Sequence, residues 1–116
     1  MSQVAEILKY CNKKGVPVVP FGAGSGLEGG ASAPTGGVAL NLQSFSKILR
    51  VSPEDFDCTV EAGVTWRTLN FFLRDQGLWF PVDPGADASL GGMCSTSASG
   101  ENDSMLIVPR KNVIFG

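Results

Sequence analysis

Apolar positions recur along this chain with two periods, and the periods predict its elements. Val4, Ile7, Leu8 and Cys11 fall at i, i+3, i+4 and i+7, one face of a helix. Ser2 suits its N-cap, Lys13 and Lys14 suit the negative end of its dipole, and Gly15 suits the position just past it. Val16 to Pro20 reads as a short buried strand whose two prolines place it at an edge or a strand start. Residues 21–37 are a glycine-rich loop broken by Pro34, and residues 37–42 are a second strand. Residues 48–52 and 58–62 form an antiparallel pair around a Pro53-Glu54-Asp55 turn. Thr65 then caps a helix with Trp66, Leu69, Phe72 and Leu73 as its apolar stripe and Gly77 as its stop. Residues 78–82 read as an apolar strand, and residues 83–100 as a long small-residue loop containing one helical turn. Trp66, Phe71, Phe72, Trp79 and Phe80 follow these periodicities and are expected in the core, not as stacking platforms. Two short apolar runs, Met105 to Val108 and Asn112 to Phe115, flank Pro109-Arg110-Lys111. A helix that precedes the first strand normally packs on a sheet with an earlier strand, so truncation ahead of residue 1 is expected.

Composition narrows the function. The 116 residues are 43% hydrophobic and 17% charged, which is globular and not disordered. Nine basic against eleven acidic residues give a net charge of −2, unlike the cationic face of a nucleic-acid binder. The chain has no His, so imidazole supplies no base, metal ligand or flavin attachment here. Cys11, Cys58 and Cys94 are too few and too widely spaced for a disulfide framework or a zinc site, and read as small buried hydrophobes in a reducing compartment. No apolar run nears the ~20 residues of a membrane span. Residues 1–15 read as an ordinary helix without a signal-peptide cleavage site or the Arg-rich, acid-poor character of a transit peptide.

Two stretches are candidates for chemistry. In Phe21 to Gly30, residues without Cβ let the main chain approach a ligand, and successive N–H groups can point into one concavity that suits a phosphate. Gly24 to Gly29 matches G-x-G-x-x-G, but no helix opens at Gly29 and no acid lies between Glu28 and Glu54 to take a ribose hydroxyl. A Walker loop fails as well, for lack of Gly-Lys-Ser/Thr. Phosphate here would sit on a bare loop between strands, and Gly24→Val is expected to put a side chain in its place. The second stretch, Pro81 to Gly100, offers backbone to a flat ligand and hydroxyls at Ser89, Ser95, Thr96 and Ser99. Asp83 and Asp87 read as turn residues and not as a metal pair, and Glu61 as a solvated carboxylate.

Pro20 to Gly30, Val60 to Thr65 and Gly77 to Leu90 together resemble the FAD-linked oxidase family that includes vanillyl-alcohol oxidase and p-cresol methylhydroxylase, closest to its mitochondrial, cytochrome-linked D-lactate dehydrogenase branch. The resemblance runs over residues 1 to about 102. It implies an α+β, two-subdomain FAD-binding domain of the p-cresol methylhydroxylase type, incomplete here. Residues 1–45 would be the first subdomain without its first strand, 46–102 part of the second, and 103–116 a divergent tail. FAD, held without a covalent bond, would lie against three segments. The pyrophosphate loop matches Pro20, Phe21, Gly22, Ala23, Gly24, Ser25 and Gly26. The second segment matches Asp83, Pro84, Gly85, Ala86, Asp87, Ala88 and Ser89, with Gly92 beyond it. The third, beside the isoalloxazine, matches Thr96, Ser97, Ala98 and Ser99. The implied parent reaction passes a hydride from a D-2-hydroxy acid, D-lactate above all, to the flavin and its electrons to a cytochrome-type acceptor. Neither a catalytic residue nor a metal ligand is matched, so the chain alone is expected to be inactive. The implied location is mitochondrial, with a cytoplasmic one left open. The rival is a non-catalytic, ligand-free regulatory or interaction fragment.

Overall fold

The computed structural model describes residues 2–99 and the strand Ile114–Phe115. The elements run α1 (Ser2–Lys14), β1 (Val18–Phe21), β2 (Val38–Asn41), β3 (Ile48–Ser52), β4 (Asp57–Val60), α2 (Trp66–Leu73), α3 (Leu90–Ser95) and β5 (Ile114–Phe115). β1 and β2 pair in parallel, Val18 opposite Val38 through Phe21 opposite Asn41. A parallel pair needs a long crossover. Residues 22–37 supply it with no helix. β3 and β4 pair antiparallel with an irregularity at Ile48/Arg50, and β5 lies parallel to β4 on its other side. The run Met105 to Val108 and the rest of the expected tail, Ile114–Phe115 apart, lie outside the described residues.

Local signals account for the helix ends. Gly15 adopts φ +64, and the Val16 N–H returns to the Cys11 carbonyl at 2.9 Å, closing α1. The Thr65 hydroxyl accepts from the Thr68 N–H at the start of α2. Past α2 a 3₁₀ turn over Arg74–Gln76 ends at Gly77 with φ 68.

The core lies in the second half of the chain. Cys58, Val60, Val64, Leu69, Leu73, Ala88, Leu90 and Met93 are buried together, with Ile48, Val51, Trp66, Leu78, Phe80 and Val82 packed around them. Each fully buried Leu or Val stabilises the fold by about 1.5–3 kcal/mol.

Several expectations are corrected. Of the α1 stripe only Cys11 is buried, while Ile7 and Leu8 are exposed. The first strand is half-buried, with Pro20 exposed. Phe71, Phe72 and Trp79 are also exposed, because α2 turns only the Leu69/Leu73 side to the core. Cys94 is exposed, unlike Cys11 and Cys58. Residues 78–82 form no strand. The Asn70 side chain takes the place of a partner strand, accepting from the Phe80 N–H at 2.5 Å and donating to the Phe80 carbonyl at 3.0 Å. Pro81, with no N–H, could not have continued a ladder. Glu61 is half-buried and accepts from the Lys47 N–H at 2.8 Å instead of standing in solvent.

Candidate cofactor site

The chain between β4 and α2 holds the two halves together. The Gly63 N–H donates to the Phe45 carbonyl at 2.7 Å, and a Cβ at Gly63 would fall 2.6, 2.7 and 3.0 Å from the carbonyl oxygens of Leu42, Phe45 and Gln43. Only glycine allows this approach. It presses the start of α2 against the β2–β3 connection and opens a cleft of about 250 Å³ above the contact. Gln43 and Ser46 line one wall, Gly63, Val64, Thr65 and Thr68 another, and Ala23 and Ser89 the rest.

Ala23 and Ser89 come from the two stretches singled out in the sequence, and their neighbours meet. A Cβ on Gly22 would collide with the Ser89 hydroxyl, so the glycine loop lies directly against the end of the second segment. Gly92 closes on the same hydroxyl from α3, its Cβ position 3.0 Å away. Ser89 is only 4% exposed, yet its side chain makes no capping bond to α3. Among the described residues no sealed side-chain N or O lacks a partner. The Ser89 hydroxyl therefore keeps its free face toward the cleft it lines. The amides of Gly22, Ala23, Gly24, Ser25 and Gly26 meet no backbone acceptor among the described residues. Free N–H groups on a Cβ-poor loop, beside a hydroxyl that has no partner among the described residues, suit a diphosphate.

The other matched residues are arranged less tightly. Pro20 and Phe21 end β1, and Gly24, Ser25 and Gly26 form an exposed rim. The space beside Gly24 is taken by the Phe21 ring, 2.8 Å from a Cβ there. A Gly24→Val side chain would thus meet that ring at its Cβ. Asp83, Pro84, Gly85, Ala86 and Asp87 pass exposed along the first turn of α2, and Ala88 enters the core. The Asp83 carboxylate accepts from the Gly85 N–H at 2.8 Å, a turn contact. No cluster of metal-ligating side chains occurs among the described residues. Thr96, Ser97, Ala98 and Ser99 follow α3 and do not line this cleft. The Thr96 hydroxyl donates back to the Gly92 carbonyl at 3.0 Å, and Ala98 packs on the core.

Sequence reasoning missed Gln43, Ser46, Thr65 and Thr68. Thr65 carried a signal as a helix cap, and Val60 to Thr65 belonged to the resemblance. Gln43 and Ser46 look like ordinary loop residues until Gly63 brings α2 beside them. Neither described thiol in the second half is poised for chemistry. Burial raises the Cys58 thiol above its ordinary value, with the Asp57 charge adding to it, and partial burial raises Cys94.

The family model described as FAD binding domain matches residues 1–113. The chain belongs to this family. The match reaches beyond residue 102, where the motifs leave off. This FAD-binding domain is 51% identical over 114 residues to a probable mitochondrial D-lactate dehydrogenase of Danio rerio, covering 98% of this chain and 23% of that protein. It is 43% identical over 112 residues to the mitochondrial D-lactate dehydrogenase [cytochrome] of Arabidopsis thaliana, covering 97% of this chain and 20% of that protein. A solved alkyldihydroxyacetonephosphate synthase superposes with a TM-score of 0.71 at 25% identity, over 85% of this chain and 21% of that one. The chain thus spans about a fifth of the length of these relatives. The fold is α+β of the p-cresol methylhydroxylase type, and the cofactor of the domain is FAD. No described helix is long and apolar enough to cross a membrane.

Proposed function

We propose that this chain is the FAD-holding part of a flavoprotein that oxidises D-2-hydroxy acids, D-lactate first among them, and delivers the electrons to a cytochrome-type acceptor. The observation that carries the reading is the contact of Gly22 with Ser89 across a cleft walled by neutral donors. The D-lactate dehydrogenase names of the relatives support the substrate class, and the word cytochrome in one of them supports the acceptor. Their mitochondrial designation supports the same location for this protein.

In this reading the loop from Pro20 to Gly26 would hold the diphosphate, with the main-chain N–H groups of Gly22 to Gly26 as donors and the Ser89 hydroxyl beside them. Asp83 to Ala88 and Gly92 continue the cradle, and Thr96 to Ser99 extend it beyond α3. Residues 1–45 and 46–102 would act as the two subdomains that hold the cofactor, and Ile114–Phe115, paired with β4, joins the sheet of the second. Bound FAD would supply the redox chemistry, as acceptor of a hydride from the substrate carbon. The chain's own residues bind and orient. Among the described residues no ionisable side chain lines the cleft. In this reading the chain holds the cofactor and does not by itself turn over D-lactate.

One titration tests this. FAD added to the purified chain should quench flavin fluorescence with saturation, and at ~100 times Kd should add about 2.7 kcal/mol of stability. Because neutral dipoles and not Lys or Arg line the cleft, Kd should change less than about threefold between roughly 50 mM and 500 mM salt. D-lactate-dependent dye reduction by the same sample should stay at background. Unquenched flavin and an unmoved Tm would favour the ligand-free interaction fragment instead. Dye reduction above background would overturn the chain's purely binding role.

A further inference from the structure

The first turn of α2 grips the second cofactor segment with two side chains that the site reading leaves unused. The Trp66 indole N–H donates to the Ala86 carbonyl at 2.6 Å, and the neighbouring Arg67 guanidinium donates to the Gly85 carbonyl at 3.0 Å. The guanidinium carbon lies 5.2 Å from the centre of the Trp66 ring, so the two side chains brace each other. The Trp66 main-chain N–H also holds the Ala88 carbonyl at 3.2 Å.

These bonds fix the orientation of successive peptide planes. In a trans peptide the N–H points opposite to the C=O. No cis peptide occurs among the described residues. With the carbonyls of Gly85 and Ala86 turned onto α2, the N–H groups of Ala86 and Asp87 must turn away from it. Among the described residues neither amide meets a backbone acceptor.

We infer that Trp66 and Arg67 are positioning residues that set the Ala86 and Asp87 amides as a donor pair for the cofactor. This rests on the FAD reading above and adds to it which residues outside the cradle determine its geometry. Neither side chain touches the cofactor in this account. Without the grip the segment would rotate among turn conformations, and the amides would be aimed only part of the time.

The test compares the wild-type chain with Trp66→Phe, Arg67→Gln and Arg67→Lys. Phe keeps one aromatic ring there and removes the indole donor with its five-membered ring. Arg67 is exposed, so its replacement leaves the core intact and keeps the test available should Trp66→Phe fail to fold. Each donor-deleting variant should bind FAD about three- to tenfold more weakly. The bound flavin absorption bands should move toward those of free FAD. Arg67→Lys, which can still reach a carbonyl, should recover part of the loss. Wild-type Kd and wild-type flavin spectrum in both Trp66→Phe and Arg67→Gln would overturn the positioning role while leaving the cofactor reading in place. Failure of the wild-type chain to bind FAD would overturn the cofactor reading beneath it.

Discussion

Gly63→Ala should lower the stability of the chain by about 1–3 kcal/mol, the usual cost of overpacking. For a domain of this size that is a fall in Tm of roughly 4–8 °C for each kcal/mol. The three atoms that a new Cβ would meet are carbonyl oxygens of Leu42, Gln43 and Phe45, all main chain. No side chain can swing aside, so α2 or the β2–β3 connection must retreat. The Phe45 carbonyl also accepts the Gly63 N–H, and that bond would stretch. Since the same contact forms the cleft, FAD affinity should fall together with stability. Gly30→Ala is the matched control, because nothing lies within 4 Å of its Cβ position. Differential scanning calorimetry of both variants checks the contrast. Equal Tm values would show that Gly63 is not a forced glycine.

Gly22→Ala should instead spare stability and remove cofactor binding. Its Cβ would collide with the Ser89 hydroxyl and sit 3.3 Å from the Ser89 Cβ; the hydroxyl can rotate away and the Cβ contact needs a shift of only a few tenths of an ångström. Rotation, however, takes the Ser89 hydroxyl off its aim into the cleft and pushes the glycine loop outward. An FAD Kd raised at least about tenfold is expected, with the apo Tm changed by no more than a few degrees. Pairing it with Ser89→Ala distinguishes the mechanism. Removing the oxygen relieves the collision, so the double variant should bind FAD better than Gly22→Ala alone, with a coupling of about 0.5–3 kcal/mol. Strict additivity would mean that the loop and Ser89 do not act on one ligand.

The sequence was most legible where structure is local. Thr65 as a cap, Gly15 and Gly77 as left-handed stops, and the Pro53 turn each depend on a few neighbouring residues, and all appear where the pattern puts them. Distance along the chain set the limit. The run from Leu78 to Val82 has the composition of a strand, but its hydrogen bonds go to the Asn70 side chain, which nothing in the run itself announces. Periodicity showed which face of α2 is apolar and not how far the core extends around it, so Phe71 and Phe72 were assigned to an interior they do not reach. The glycine loop was legible as bare main chain. Its opposing wall was not, because Gln43 and Ser46 enter the cleft only through the Gly63 contact. At Gly24 the pattern gave no sign that the Phe21 ring folds back to within 2.8 Å of a Cβ there, a contact made across the loop.

Amide chemical shifts of the isotope-labelled chain during an FAD titration test most directly whether one ligand bridges the two stretches of main chain. The amides of Gly22 to Gly26 and those of Ala86 to Ser89 should move together and reach saturation at the same FAD concentration. Movement of only one set, or two sets saturating at different concentrations, would contradict a shared cofactor site.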